Sequence, residues 1–189
     1  MSKESLSGEF SHVVETGQIS PEGLQLHLTA SADECRALAE RFGILAVLRL
    51  EARLQIRPDP VLAGCYVMSG QVDAEVEQAC VVSLEPVRQR IAETFVRSFA
   101  PAVAGTRNEG AGEDEADWLD PDAADPPDLL EDDRIDAGEV VAEELALALD
   151  PYPRKAGADL PPEYHPEPEQ AAKVSPFAVL AGLKAAKKD

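Results

Sequence analysis

The chain has 189 residues, 44% hydrophobic and only 5% aromatic, and a formal net charge of −19 at pH 7. Its length suits one domain, and so negative a surface repels nucleic-acid phosphates, which argues against a broad RNA-binding surface. It has no apolar run approaching the roughly 18 to 20 residues that span a bilayer, and no signal-peptide pattern at its start. Three widely spaced cysteines do not suggest a disulfide framework, so we expect a cytoplasmic protein without a membrane partner.

Most of the negative charge lies in one block, residues 109–150. This block carries seventeen Asp and Glu against one basic residue, Arg134, and so accounts for 16 of the 19 net negative charges. Self-repulsion on this scale keeps a segment extended and solvated. We therefore predict that residues 102–133 form a mobile acidic loop, and that the protein binds a basic partner.

The first part of the chain predicts strands and a helix. Residues 24–29 alternate apolar and polar side chains, as in a strand with one wet face, and residues 10–19 are a weaker strand candidate before a turn at 20–23. Ser31 and Glu34 then have the spacing of a helix capping box. An apolar stripe follows at helical spacing, and Gly43 is placed to end the helix.

Two further strands are predicted by strict alternation. Apolar residues from Leu48 to Ile56 alternate with a basic set, and those from Val72 to Val76 alternate with an acidic set. The basic set is Arg49, Arg53 and Arg57, and the acidic set is Asp73, Glu75 and Glu77. If the strands are antiparallel neighbours, pairing between these sets would stabilise their register by roughly 0.2–1 kcal/mol per pair.

Residues 87–99 fit two structures. Their apolar side chains are spaced by four, as in a helix, but also lie on one face of a strand and are of strand-favouring types. Further on, Asp136 and Glu139 have the spacing of a helix cap and box, and an apolar stripe continues to Leu149 before Pro151. Beyond it the chain is rich in proline and ends in a short apolar motif followed by lysines.

These patterns predict an α+β fold: a single domain with a mainly antiparallel sheet and two or three helices. Residues 1–101 form its core, 102–133 the acidic loop, 134–151 a helix packing on the core, and 152–189 a proline-rich tail with the terminal apolar motif.

No pattern indicates catalysis, a metal site or a cofactor. The three histidines are far apart, no glycine loop has phosphate-binding spacing, and Asp132, Asp133, Asp136 and Glu139 lack the glycine of a calcium loop. Cys80 follows a predicted strand, and a structural thiol is favoured over a reactive one. We expect no cofactor and no enzymatic activity.

Several residues are candidates for binding a partner. Trp118 lies alone within the acidic loop, either as an anchor for a partner or folded back onto the domain. Asp132 and Asp133 could attract a basic surface, while Phe177 and Leu180 could dock onto a partner or cover the sheet. The three arginines at positions 49, 53 and 57 could contact RNA phosphates, although pairing with neighbouring acids is the favoured interpretation.

Three stretches together resemble a known family. They are residues 70–80 leading into Leu84, Glu85 and Pro86, then 134–149 with Ile135 and Asp136, and finally 176–184. Over roughly residues 8–184 this order resembles the bacterial YceD family, the large ribosomal RNA subunit accumulation proteins. Many members have two cysteines where this chain has Cys80 and Ser83, and this departure excludes a thiol pair or metal knuckle here.

The resemblance implies a strand at residues 87–99 and a non-enzymatic role in large ribosomal subunit biogenesis. The expected partner is a large-subunit ribosomal precursor or a basic ribosomal protein, held by the acidic block. Direct RNA binding through the three arginines is an alternative, as is a general acidic chaperone for basic proteins. An enzyme that uses Cys80 or clustered carboxylates is the least favoured interpretation.

Overall fold

The computed structural model of the protein describes residues 9–101 and 126–159. The chain divides into two units, Met1–Lys155 and Ala156–Asp189, and the helices and strands of the described ranges all lie in the first. They are, in order, β1 (Val13–Glu15), a 3-10 turn (Thr16–Gln18), β2 (Leu24–Thr29), α1 (Ala32–Phe42), β3 (Ala46–Pro58), β4 (Tyr66–Ala79), β5 (Pro86–Pro101), β6 (Asp128–Leu130), β7 (Arg134–Asp136) and α2 (Ala137–Ala148).

The strands form two sheets. A five-stranded sheet has the order β2-β3-β4-β5-β6, in which only the β5–β6 pair is parallel. β1 and β7 pair antiparallel as a separate two-stranded sheet. The predicted α+β class with a mainly antiparallel sheet is confirmed, and two α-helices lie in the described part of the chain.

The core lies on one face of the large sheet, which we call the inner face. α1 packs on β3, and α2 packs on β4, β5 and β1. Alternation along the strands sends every second side chain into this layer, where it leaves water. Side chains with at most 2% exposure include Leu38, Leu50, Ile56, Met68, Val72, Val76, Ile135, Val141 and Leu145.

Helix α1 begins and ends where the sequence predicts. The Ser31 hydroxyl accepts a hydrogen bond from the Glu34 amide at 3.3 Å, and the Glu34 carboxylate accepts one from the Ser31 amide at 2.7 Å. Gly43 ends the helix with φ +65°, a left-handed conformation that glycine adopts without steric cost. Both signals are local in sequence, which is why the sequence alone reveals them.

The predicted charge pairing between β3 and β4 is confirmed in register for one arginine only. The strands are antiparallel neighbours and Arg49 lies opposite Glu75, but Arg53 lies opposite Gln71 and Arg57 opposite Val67. Arg49 bonds instead to Glu51 of its own strand, at 3.1 Å. The acids of β4 pair with the next strand: Arg88 lies 3.5 Å from Glu75 and 3.4 Å from Glu77.

The ambiguous segment is confirmed as a strand, β5, which pairs with β4 over fourteen residues. The predicted weak strand at 10–19 shrinks to the three residues of β1. The predicted acidic loop 102–133 extends too far, because Asp128–Leu130 form β6 within it. Residues 102–125 of that loop lie outside the described residues, as do those of the predicted tail beyond Asp159.

Neither helix of the described ranges is long and apolar enough to cross a membrane. α1 has eleven residues and α2 has twelve, against the roughly 20 that a spanning helix needs.

Gly70 gives a test of packing in the centre of the large sheet. A Cβ atom there would lie 2.4 Å from the Phe95 ring and 2.7 Å from Leu54 Cδ2, so the ring must shift. We expect Gly70→Ala to lower the free energy of unfolding by about 1–3 kcal/mol, measured by urea denaturation. Gly17→Ala is the control, since nothing lies within 4 Å of a Cβ there. Equal stability of the two variants would contradict this packing.

Candidate partner-binding groove

An acidic groove lies where the edge of the large sheet meets the β7 strand and the first turns of α2. It has a volume of about 510 Å³. Six carboxylates line it, against two arginines, Arg97 and Arg134. The carboxylates are those of Asp128, Glu131, Asp132, Asp136, Glu139 and Glu143. The lining therefore has a formal charge of −4 before other residues are considered.

Arg97 holds one wall of the groove together. Its guanidinium donates hydrogen bonds to Asp128 Oδ2 at 2.9 Å, Glu144 Oε1 at 3.1 Å and Glu143 Oε2 at 3.2 Å. It thereby joins β5 to both β6 and α2. Burial opposes the charge on this side chain, but the hydrogen bonds with Asp128 and Glu144 outweigh it and raise the pKa of Arg97.

Asp136 fixes the opposite wall. It is the N-cap of α2, and its Oδ1 accepts from the amides of Gly138 and Glu139, both at 3.1 Å. The same carboxylate accepts from the Ser11 hydroxyl at 2.6 Å and the His12 amide at 2.8 Å. It therefore ties the start of α2 to the chain before β1 as well as capping the helix.

The capping box predicted at α2 forms only in part. Asp136 caps the helix, but the Glu139 carboxylate pairs with Arg41 of α1. Arg41 also contacts Glu9, at 3.2 Å. The hydrogen bond with Glu139 is the main reason that the pKa of Arg41 is raised. This partly exposed pair links the two helices, a contact that local spacing does not reveal.

The turn between β6 and β7 is strained and acidic. Asp132 and Asp133 both adopt left-handed conformations, with φ of 52° and 56°, which non-glycine residues seldom adopt. The turn is closed by the Arg134 amide, which donates to the Glu131 carbonyl at 3.0 Å. Asp132 lines the groove and Asp133 does not, although the Asp133 carbonyl accepts from the Thr16 amide at 2.9 Å.

Two carboxylates of the groove remain for a partner. Within the described residues, Glu131 and Asp132 make no ion pair, whereas Asp128, Glu139 and Glu143 are paired with arginines. Two apolar side chains lie beside them: Leu129 is 68% exposed and Val13 is 52% exposed. The groove thus combines open negative charge with apolar surface, as a site for a basic peptide segment would.

No metal site accompanies these acids. Across residues 9–101 and 126–159, no group of three or more His, Cys, Asp or Glu side chains is arranged to hold an ion.

Cys80 occupies a separate, buried site at the β4–β5 turn. Its sulfur accepts hydrogen bonds from the backbone amides of Val82, Ser83 and Lys155, each at 3.4 Å. The Lys155 amide contributes most to lowering the pKa of Cys80 to about 6, followed by the Ser83 side chain and amide. The Val81 amide also donates to the Pro153 carbonyl at 2.9 Å, so the chain after α2 is bound to this turn.

The rest of the family motif surrounds this turn. Leu84 is left-handed, with φ 60°, and its side chain is 76% exposed. Glu85 pairs with Lys155 Nζ at 3.0 Å, and this hydrogen bond is the main reason that the pKa of Glu85 is lowered. Pro86 begins β5, and Ile135 lies buried in β7 beside Asp136.

The three arginines predicted to contact RNA do not lie in the groove. Arg49, Arg53 and Arg57 lie on the outer face of the large sheet, away from α1 and α2. Trp118, Phe177 and Leu180 lie outside the described residues. Of the two predicted partner-binding residues that the structure describes, Asp132 lines the groove and Asp133 does not.

Arg97 is the residue that sequence reasoning missed. It occupies an inner-face position of β5, in register with the buried Met68 of β4. A charged residue among apolar side chains of one strand face signals a paired charge, because an unpaired one would be costly to bury. The signal becomes usable only once residues 87–99 are known to be a strand.

The comparisons agree with the sequence motifs. The family model for the large ribosomal RNA subunit accumulation protein YceD matches residues 68–184, more than half of the chain. The chain belongs to the YceD family. The match covers β4 from Met68 onward, β5, the Cys80 turn and most of the groove, and it is shorter than the range 8–184 inferred from the motifs. No curated protein and no solved structure matches the chain.

Family membership indicates the process in which the protein takes part. The family name implies a role in the accumulation of large-subunit ribosomal RNA. Every residue that lines the groove, apart from Val13, lies in the matched range.

The anchoring role of Asp136 can be measured. We expect Asp136→Ala to lower the free energy of unfolding by about 2 kcal/mol, since it removes a helix cap and two further hydrogen bonds. Chemical denaturation monitored by circular dichroism would measure this. Asp33→Ala is the matched control, because Asp33 makes only an exposed ion pair with Arg36. A loss no larger than that of the control would show that the anchor is unimportant.

The lowered pKa of the Cys80 thiol predicts that the stability of the protein depends on pH. The pKa of its thiol is about 6 in the folded protein, below the ordinary value of 9.0. The ionised sulfur therefore contributes its full stabilisation above pH 9, and this contribution declines as the pH falls to 6. The melting temperature of the wild type relative to Cys80→Ser should rise between these limits. A constant difference would contradict an ionised sulfur.

Proposed function

We propose that this protein is a non-enzymatic assembly factor of the large ribosomal subunit that uses the acidic groove to hold a basic ribosomal protein. The partner would be bound alone or as part of a precursor particle. The observation that carries this proposal is the excess of carboxylates in the groove: six against two arginines. Surfaces of opposite charge attract and orient each other before contact.

Some carboxylates of the groove stabilise the fold, and others are placed to bind a partner. Arginines pair with Asp128, Glu139 and Glu143 and hold the walls, and Asp136 caps α2. Glu131 and Asp132 lie on the turn at its rim, where a lysine or arginine of a partner could approach without breaking the fold. Leu129 offers an apolar contact in the same place. Such contacts act only at short range and would lengthen the life of the complex.

The chemistry of the lining supports binding rather than catalysis. The side chains that form the groove are carboxylates, two arginines and apolar groups, without a serine, cysteine, histidine or lysine among them. A carboxylate pair could act as acid and base only with a raised pKa on one member, which burial or a like charge would have to provide. Here arginines neutralise much of that charge.

A ribosomal role fits this chemistry. Basic segments that will later contact RNA attract any polyanion they meet. An acidic groove that covers such a segment would prevent premature contacts and would release it when ribosomal RNA competes. Because exposed charges are screened over about 8 Å at physiological ionic strength, the complex should weaken steeply as salt rises.

The test is affinity capture of the tagged full-length chain from growing bacteria at low salt, with the retained proteins and RNA identified together. We expect one basic large-subunit protein, or precursor particles that contain it, to be captured and then lost as salt rises. Binding of that purified protein by Glu131→Lys/Asp132→Lys should be weaker by about tenfold or more, because like charges would then face each other.

The matched control is Glu22→Lys/Glu40→Lys, which makes the same charge change at exposed positions outside the groove. This variant should bind almost as the wild type does. Equal weakening of both variants would show that net charge alone matters, as in a general acidic chaperone. A capture free of ribosomal material would contradict the ribosomal role.

A further inference from the structure

A second concave surface lies on the outer face of the large sheet. It has a volume of about 730 Å³ and crosses β2, β3, β4 and β5. Its lining comes in four groups of three consecutive residues, 25–27, 53–55, 69–71 and 94–96. The middle residue of each group points to the inner face, so the backbone forms the floor and the flanking side chains form the walls. We call this surface the sheet-face groove.

The walls of the sheet-face groove are polar and free of acids. Two cross-strand rows form them, and the pairing of the strands sets each row. One row is His27, Arg53, Gln71 and Thr94, and the other is Gln25, Gln55, Ser69 and Val96. No carboxylate belongs to either row, in a chain that carries 36 acidic residues against 17 basic ones.

The arginines of the outer face fall into two classes. Arg49 pairs with Glu51, and Arg88 and Arg90 pair with Glu75, so these three arginines already have carboxylate partners. Within the described residues Arg53 and Arg57 make no ion pair. Both are exposed and lie on the same face of β3, about 13 Å apart along the strand at 3.3 Å per residue.

The neighbouring turn limits where Arg57 can lie. Gly23 lies beside it with φ +101°, and a Cβ atom there would approach Arg57 Cγ to 2.8 Å. The aliphatic part of Arg57 therefore passes directly over the Gly23 backbone, two residues along β3 from Gln55 and just beyond the lining of the sheet-face groove. A cationic side chain held in this way loses less conformational freedom on binding an anion.

The sheet separates this surface from the acidic groove. Arg97 points to the inner face and its carboxylate partners, whereas the adjacent Val96 points to the outer face. The two grooves thus lie on opposite sides of the same strand. Because exposed charges are screened over about 8 Å at physiological ionic strength, the acids on the inner side have a weakened effect on an anion bound at the outer side.

We propose that the sheet-face groove binds single-stranded RNA through its phosphate backbone. Arg53 and Arg57 would each contact a phosphate, while His27 and the three glutamines offer hydrogen bonds to ribose hydroxyls and base edges. Among the described residues no Phe, Tyr or Trp ring faces the groove, since Phe95 packs over Gly70 on the inner face. Binding therefore proceeds without stacking on such rings, and is weak, salt-sensitive and tolerant of sequence.

Charge complementarity selects RNA over the other possible occupants. A basic peptide has no carboxylate to bind here, and an apolar helix would find polar walls apart from Val96. The proposal also corrects the set of RNA-contacting arginines expected from the sequence: Arg49 is excluded because Glu51 already neutralises it. The proposal is independent of the acidic groove and its partner.

The test uses the purified full-length chain and a fluorescently labelled single-stranded oligouridine, with binding followed by anisotropy at low and at raised salt. Arg53→Ala/Arg57→Ala should weaken binding at low salt about tenfold or more, because two phosphate contacts are lost. Each phosphate contact to a single strand contributes about 0.7 to the slope of log affinity against log salt. The slope of log affinity against log salt should become shallower by about 1.4 with both contacts removed.

The matched control is Arg88→Ala/Arg90→Ala, which removes two exposed, paired arginines from the same face. It should leave the affinity within about twofold, because those arginines are already paired. Failure of the wild type to bind the oligouridine at low salt would overturn the proposal. Equal losses in the two double variants would also overturn it, as would tighter binding of a polyglutamate peptide than of RNA.

Discussion

The structure depends on covering one apolar face of three long strands. β3, β4 and β5 send alternate side chains to the inner face, and such a surface is not stable in water. α2 covers much of it, and Asp136 fixes where α2 begins by bonding both to the helix amides and to Ser11 and His12. The acidic groove is formed by the same arrangement, because its walls are α2, β7 and the edge of the sheet.

The large sheet also separates two surfaces that differ in their charged side chains. Carboxylates gather on the inner side around Arg97, whereas the outer side carries the two acid-free rows at one end and arginine–glutamate pairs at the other. A chain with a net charge of −19 can therefore present two surfaces with different preferences. An assembly factor with both surfaces would bring a basic protein and an RNA strand to opposite sides of one small domain, without either competing for the other's site.

Local signals can be read from the sequence, and distant contacts cannot. The capping box at Ser31, the end of α1 at Gly43 and the alternation in β3 and β4 depend on neighbours within a few residues. The Asp136 carboxylate and the Ser11 hydroxyl are 125 residues apart in sequence, and the Lys155 amide lies 75 residues from Cys80. Such partners depend on how elements pack. For the same reason alternation predicts the antiparallel pairing of β3 and β4 correctly but not their ion-pair partners.

The parallel pairing of β5 and β6 places both ends of a long insertion side by side. Phe99 lies opposite Asp128, so the chain leaves and re-enters the domain at neighbouring points. Closing a connection between such points costs only about 0.6 kcal/mol more for each doubling of its length. Lengthening the connection between these two points should therefore change the closure free energy little. We expect that a reporter can be inserted there without changing the strands that line the two grooves.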